Sequence, residues 1–161
     1  PMQVSITNGG AMELAEAGNV WPIFSVCSNE LSTPKLLFCP EDARTNHQQA
    51  TIFALSLAQG QSHVCFTNDN QVSYLANLDA DDSHPERILF ADSNLELNGK
   101  TVPHGILNLW SNAPVTWDKF RHEKRTGNVA LADGSVRNVN QKQLRVLLAE
   151  SLQQTNRLII P

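Results

Sequence analysis

Asn98-Gly99 is the residue pair that most restricts what this chain can fold into. It lies between Leu95 and Leu97 on one side and Val102 on the other. A two-residue primed turn needs positive φ at both central positions, and Asn-Gly meets that need at little cost. The pair therefore predicts an antiparallel hairpin. A second turn signal, Asp133-Gly134, lies inside NVALADGSVRNVN (128 to 140). Read as a two-residue primed turn, it sets Ala132 opposite Ser135 and Leu131 opposite Val136, with two apolar side chains on one face. Val139 then falls on the wrong face for the strand, and a helix start accounts for it. Asn140 is the expected N-cap, Gln143 its capping-box partner, and Val139 the staple packing on Leu144. The helix runs on through Leu147, Leu148 and Leu152.

Around these turns the chain alternates between strand and helix signals. AMELAEAG is a helix-prone stretch that stops at Gly18. Trp21, Phe24, Cys27 and Leu31 are spaced by three and four, which predicts an amphipathic helix with Pro22 in its first turn. Leu36, Leu37 and Phe38, bounded by Pro34 and Pro40, read as a short buried strand. PEDAR reads as a turn and helix entry, with Glu41 and Asp42 suited to a helix start. Asn46 to Ala58 reads as a helix ended by Gly60, with Ile52, Phe53 and Leu57 inward. Strands are expected in QVSYLANL (71 to 78), RILFA (87 to 91), ILNLW, the region of Val115 and Trp117, and the tail RLIIP. Helices first, then hairpin-linked strands, then a terminal helix describe an α+β domain. Its helices pack on one side of an antiparallel sheet, and it ends in a C-terminal helix.

At 161 residues the length predicts one domain spanning 1 to 161. With 41% hydrophobic and 17% charged residues, the chain has the makeup of a folded protein. A net charge of -4 argues against general nucleic-acid binding. The dense basic run, Lys119, Arg121, Lys124 and Arg125, reads as a solvated loop rather than a phosphate site. No apolar run reaches the roughly 18 residues of a membrane-spanning helix. Cys27, Cys39 and Cys65 show no zinc-binding spacing, and the sequence leaves any disulfide pairing open.

Two sets of residues carry candidate chemistry. His122 and Asp133 would form an acid/base pair if brought together, but no nucleophile motif accompanies them, and Asp before Gly has a sufficient reason in the turn. Asp79, Asp81 and Ser83 are spaced like the opening of an oxygen-ligand calcium loop. The sixth position is His84 rather than Gly and the twelfth is Phe90 rather than Glu, so this is not an EF-hand. A looser calcium site stands against a solvated acidic loop, and no other cofactor is indicated.

SNELSTPKLLFCPEDAR (28 to 44), QVSYLANLDADDSHPERILFADSN (71 to 94) and HEKRTGNVALADGSV (122 to 136), in that order, resemble the soluble part of prepilin-like, type II secretion pseudopilin-like proteins with a C-terminal H-x9-DG signature. The opening PMQVSITNGG and closing RLIIP look like that family's edges, so the resemblance covers essentially the whole chain. Here ten residues, not nine, separate His122 from Asp133-Gly134, and ADSN (91 to 94) stands where relatives look more like GDRN. The resemblance implies a pilin-like fold and an upstream leader, peptidase site and hydrophobic helix outside these residues. It implies a non-catalytic subunit on the periplasmic face of the inner membrane, partnered by copies of itself and other pseudopilins. His122, Asp133 and Gly134 would be structural signature residues. Two other classes remain: a small periplasmic hydrolase using His122 and Asp133, and a surface ligand-binding module using Trp21, Trp110 or Trp117.

Overall fold

The computed structural model describes residues 2–57, 62–119, 121–122, 125–151 and 155–161. The chain divides into two compact units, Pro1–Ser73 with Pro161, and Tyr74–Ile160.

The first unit holds three short helices, α1 (Met12–Glu16), α2 (Trp21–Ser25) and α3 (Ser28–Leu31), and 3-10 turns at Pro34–Leu37 and Asp69–Gln71. Gly18, at φ 91°, follows α1 as the sequence predicts. The single helix expected from Trp21 to Leu31 is split in two, with Pro22 in the first turn of α2. The N-terminus of α2 is held by a distant group: the Asp69 carboxylate accepts from the N–H of Val20 at 3.0 Å and of Trp21 at 2.7 Å. Phe66, almost fully buried, meets Trp21 and Phe53 edge to face.

Three expectations fail in this unit. Leu36–Phe38 is not a buried strand, because Thr33 caps a 3-10 turn there and leaves Leu36 60% exposed. No helix enters at PEDAR, where Asp42 is buried in an ion pair. The described part of 46–58 is not helical either. Asn46 sits at φ 71°, and the N–H groups of Thr51 and Ile52 donate to the Val64 carbonyl at 2.8 and 3.3 Å. Pairing with a strand-like neighbour thus replaces the local i, i+4 bonds; Ala58 and the expected stop at Gly60 lie outside the described residues.

The second unit is mostly sheet. Its strands are β1 (Tyr74–Asn77), β2 (Ile88–Asp92), β3 (Leu95–Leu97), β4 (Lys100–Thr101), β5 (Gly105–Trp110), β6 (Val115–Trp117), β7 (Thr126–Leu131), β8 (Val136–Asn140) and β9 (Thr155–Ile160). A six-stranded sheet runs β5-β9-β1-β2-β7-β8 and a three-stranded one β4-β3-β6. Every pairing is antiparallel. Residues of both sheets, among them Leu75, Leu95, Trp117, Val129 and Leu158, share one buried cluster.

The expected α+β, pilin-like arrangement with helices packed on one side of an antiparallel sheet is therefore overturned. Among the described residues nine strands in two sheets dominate, and α1 to α3 have only four or five residues each, too short to present an apolar face as a layer. The C-terminal helix is real: α4 (Gln141–Glu150) buries Leu144, Leu147 and Leu148, each worth about 1.5–3 kcal/mol. Its capping box forms as expected: the Gln143 N–H donates to Asn140 Oδ1 at 3.1 Å, and the Asn140 N–H donates to Gln143 Oε1 at 2.9 Å. Leu152 lies outside the described residues. No helix among the described residues is long and apolar enough to cross a membrane.

Of the two turns, Asn98-Gly99 behaves as expected, at φ 53° and 72° between the paired Leu97 and Lys100. Asp133-Gly134 does not. Only Gly134 has positive φ, at 82°. The Leu131 N–H donates to the Ser135 carbonyl at 2.9 Å, closing a three-residue loop. The extra residue shifts the register by one, so Val136 faces Ala130 and Val139 faces Gly127. Faces exchange with it: Val136 is 68% exposed and Val139 3%. Val139 needs no helix start to explain it. It is a buried strand residue that also precedes the cap.

Candidate functional site

A buried polar cluster of the second unit gathers where β2 turns into β3. Asp92 closes β2, Ser93 and Asn94 make the turn, and all three are buried. The Asp92 carboxylate is 1% exposed, and its Oδ2 accepts from the Asn128 backbone N–H at 2.6 Å and from the Asn128 amide at 3.2 Å. The antiparallel pairing of Ala91 with Val129 brings Asn128 there. His122 Nε2 stands 3.2 Å from the same oxygen, a contact of ionic distance rather than an aligned hydrogen bond.

The segment carrying His122 is bound to this corner at several points. The Asp118 N–H donates to the Asn94 carbonyl at 2.8 Å, and the Arg121 N–H to Asp118 Oδ1 at 3.1 Å. The buried Arg121 guanidinium donates to Ser93 Oγ at 2.9 Å. Finally the Arg125 N–H donates to the His122 carbonyl at 3.0 Å. The arrangement orients an imidazole against a carboxylate and ties one connection to another. As a solvated loop, the expected basic run is only partly right: Arg121 is buried and bonded, Arg125 is exposed, and Lys124 lies outside the described residues.

His122 thus meets Asp92, not the Asp133 that the sequence suggested. Asp133 stands on the exposed hairpin loop, where its Oδ1 accepts from the Ser135 N–H at 2.8 Å. Gly134 supplies the left-handed residue of that loop. Asp92 was not singled out in the sequence, where ADSN (91 to 94) stood out only as a departure from the resembling pattern. Nothing local said that His122 would reach it.

Asp79, Asp81 and Ser83 are near one another in the chain, but the two carboxylates face cations of the protein. Asp79 Oδ1 takes the Arg157 guanidinium at 2.7 and 2.8 Å, and its Oδ2 accepts the Arg157 backbone N–H at 2.8 Å. Asp81 pairs with Arg87 at 2.7 Å and with the His84 ring at 2.8 Å. The His84 hydrogen bond is the main cause holding the Asp81 carboxyl below its ordinary range. Ser83 contributes its backbone N–H to Asp81 Oδ1 at 2.9 Å. Among the described residues no three His, Cys, Asp or Glu side chains gather to hold a metal.

In the first unit sequence reading missed a buried carboxylate. Asp42 accepts from Arg44 at 2.6 and 2.9 Å and from the Ser73 hydroxyl at 2.7 Å. The same guanidinium donates to the carbonyls of Val72 and Pro161. Of the three tryptophans, Trp117 is fully buried, Trp21 half-buried, and Trp110 44% exposed. All three cysteines are free thiols.

Comparison with protein-family models, curated proteins and solved structures finds no match. The chemistry of this corner must be judged from its own geometry. A hydrolase built on His122 and Asp133 needs both groups on one reacting centre, and each is bonded in a different place. The contacts at the corner cross-link backbone segments.

Proposed function

We propose that this chain is a non-catalytic structural domain of an extracytoplasmic filament of the prepilin-like kind, a secretion pseudopilus or a type IV pilus-like fibre. The role is proposed without the pilin-like fold, which the two-sheet architecture replaces. The observation that carries it is how the signature residues are used. His122 rests on the buried Asp92, and Asp133 and Gly134 close a hairpin loop. Each has an architectural reason to be present that needs no substrate. Copies of itself and other pseudopilins are the partners this reading requires, with an upstream apolar helix holding the subunit in the inner membrane before assembly.

The test is to express the complete reading frame in cells with and without a prepilin peptidase. Membrane fractionation should place the protein in the inner membrane, and peptidase should shorten it by a basic leader. A reading frame that encodes no apolar helix of about 20 residues upstream, or a protein untouched by the peptidase, sinks the proposal.

A further inference from the structure

We propose that a groove beside α4 binds an acidic peptide segment of a partner protein. This groove, of about 650 Å³, runs between α4, the turn after β5 and the residue preceding β7. Its described lining includes three cations, Arg125, Lys142 and Arg145, and no carboxylate. In a chain of net charge -4 such a cluster is out of balance with its surroundings. Arg125 and Lys142 take part in no ion pair among the described residues.

The cations are positioned by separate elements. Arg145 donates through Nε to the Val115 carbonyl at 3.0 Å, which anchors its guanidinium in the groove wall. Arg125 adopts φ 50°, the left-handed conformation that few non-glycine residues take. Its N–H is bound to the His122 carbonyl, so the Asp92–His122 corner fixes where Arg125 stands. Strain at an exposed arginine, held by a buried polar corner, is the mark of a positioned group.

The shape favours a peptide over a small anion. Lys142 and Ala149 are seven residues apart on α4, about 10 Å, the span of about three extended residues. Val146, 45% exposed, lies between them and offers an apolar contact. A single phosphate would leave the apolar part of that surface, at Val146 and Ala149, uncovered. Charge complementarity therefore selects an extended segment carrying several carboxylates with an apolar side chain among them. The inference does not depend on the filament role.

The probe is a fluorescein-labelled octapeptide of alternating Glu and Leu, titrated with the 161-residue chain and read by fluorescence polarisation. Binding is expected to weaken as salt rises from about 50 to about 300 mM. Lys142→Glu and Arg125→Glu should each cut affinity about tenfold or more, with thermal melts showing that both variants fold. Lys100→Glu, the same charge change on β4, should leave binding unchanged. The proposal fails if the octapeptide does not bind, or binds Lys142→Glu and Arg125→Glu as tightly as the parent. It also fails if inorganic phosphate at matched ionic strength displaces the peptide completely, which marks a simple anion site. Self-association abolished by Lys142→Glu, without peptide binding, would assign the groove to a second copy and equally overturn it.

Discussion

At Gly127 a single added methyl group should disturb the core of the second unit. Gly127 lies in β7, opposite Val139, and the indole of Trp117 from the other sheet rests against it. A Cβ added at Gly127 would stand 2.6 Å from Trp117 Cη2 and 2.7 Å from two further ring carbons. Ordinary contact requires the ring to retreat by about 0.8 Å. Trp117 is fully buried, and the void it lines in the core measures only about 10 Å³, so the ring has little room to retreat. Overpacking of this kind costs about 1–3 kcal/mol. Alanine returns about 0.4–1 kcal/mol by narrowing the unfolded ensemble, because the φ at Gly127 is one alanine accepts. Gly127→Ala should therefore lose about 1–2 kcal/mol net, seen as a fall of about 2–8 °C in melting temperature. Urea titration followed by tryptophan emission and by circular dichroism measures it. The cause is checked in a Trp117→Phe background, where the smaller ring leaves room. There the cost of Gly127→Ala should shrink, with a coupling of about 1 kcal/mol. An equal cost in both backgrounds, or no cost in the parent, would refute the steric argument.

Two further expectations rest on single contacts. Asn140→Ala removes one half of the capping box of α4 and should cost about 1 kcal/mol, whereas Asn140→Asp should retain most of it; paired urea melts compare them. Asp81 has a folded-state pKa below its unfolded value, chiefly through the His84 hydrogen bond. The stability it contributes is present above the unfolded value of about 3.9 and is lost as pH falls through the depressed folded value. Asp81→Asn should thus be less stable than the parent near neutral pH, and the difference should close in strong acid; a gap that stays constant across pH would count against the assignment.

Local chemistry made the hairpins and the terminal helix readable, because those signals act over a few residues. Asn98-Gly99 and the Asn140/Gln143 box carry their reasons within four positions. The failure at Asp133-Gly134 is instructive in its size. One residue in the loop separates a two-residue primed turn from a three-residue loop closed by a left-handed glycine. That one residue moves Val136 from core to solvent and makes Val139 a buried strand residue rather than only a staple before the helix. Asn46–Leu57 failed for a different reason: its partners, Val64 to Phe66, lie beyond the window in which periodicity has meaning. The corner was half legible. His122 stood out in the sequence and Asp92 did not: thirty positions of chain separate them, and the pairing of β2 with β7, with the bonds of Asp118 and Arg121 to Asn94 and Ser93, brings them together. Asp42 gave no signal at all, since a helix-start carboxylate and a buried one look alike in sequence.

The order of strands in the larger sheet sets a schedule for synthesis. β9, which follows the other eight strands described, lies inside the sheet between β5 and β1. Its six residues pair along the whole of β5 and also with Ala76 and Asn77 of β1. While a ribosome is still adding residues before 155, β5 has no neighbour in this sheet and β1 lacks one of its two. Leu109 and Ile88 can then find only part of their final surroundings. The second unit can complete its larger sheet only once β9 has emerged, through pairings of high sequence separation, which form slowly and leave open edges meanwhile. While residues 155–160 are still to be made, the larger sheet stays incomplete and accessible to chaperones.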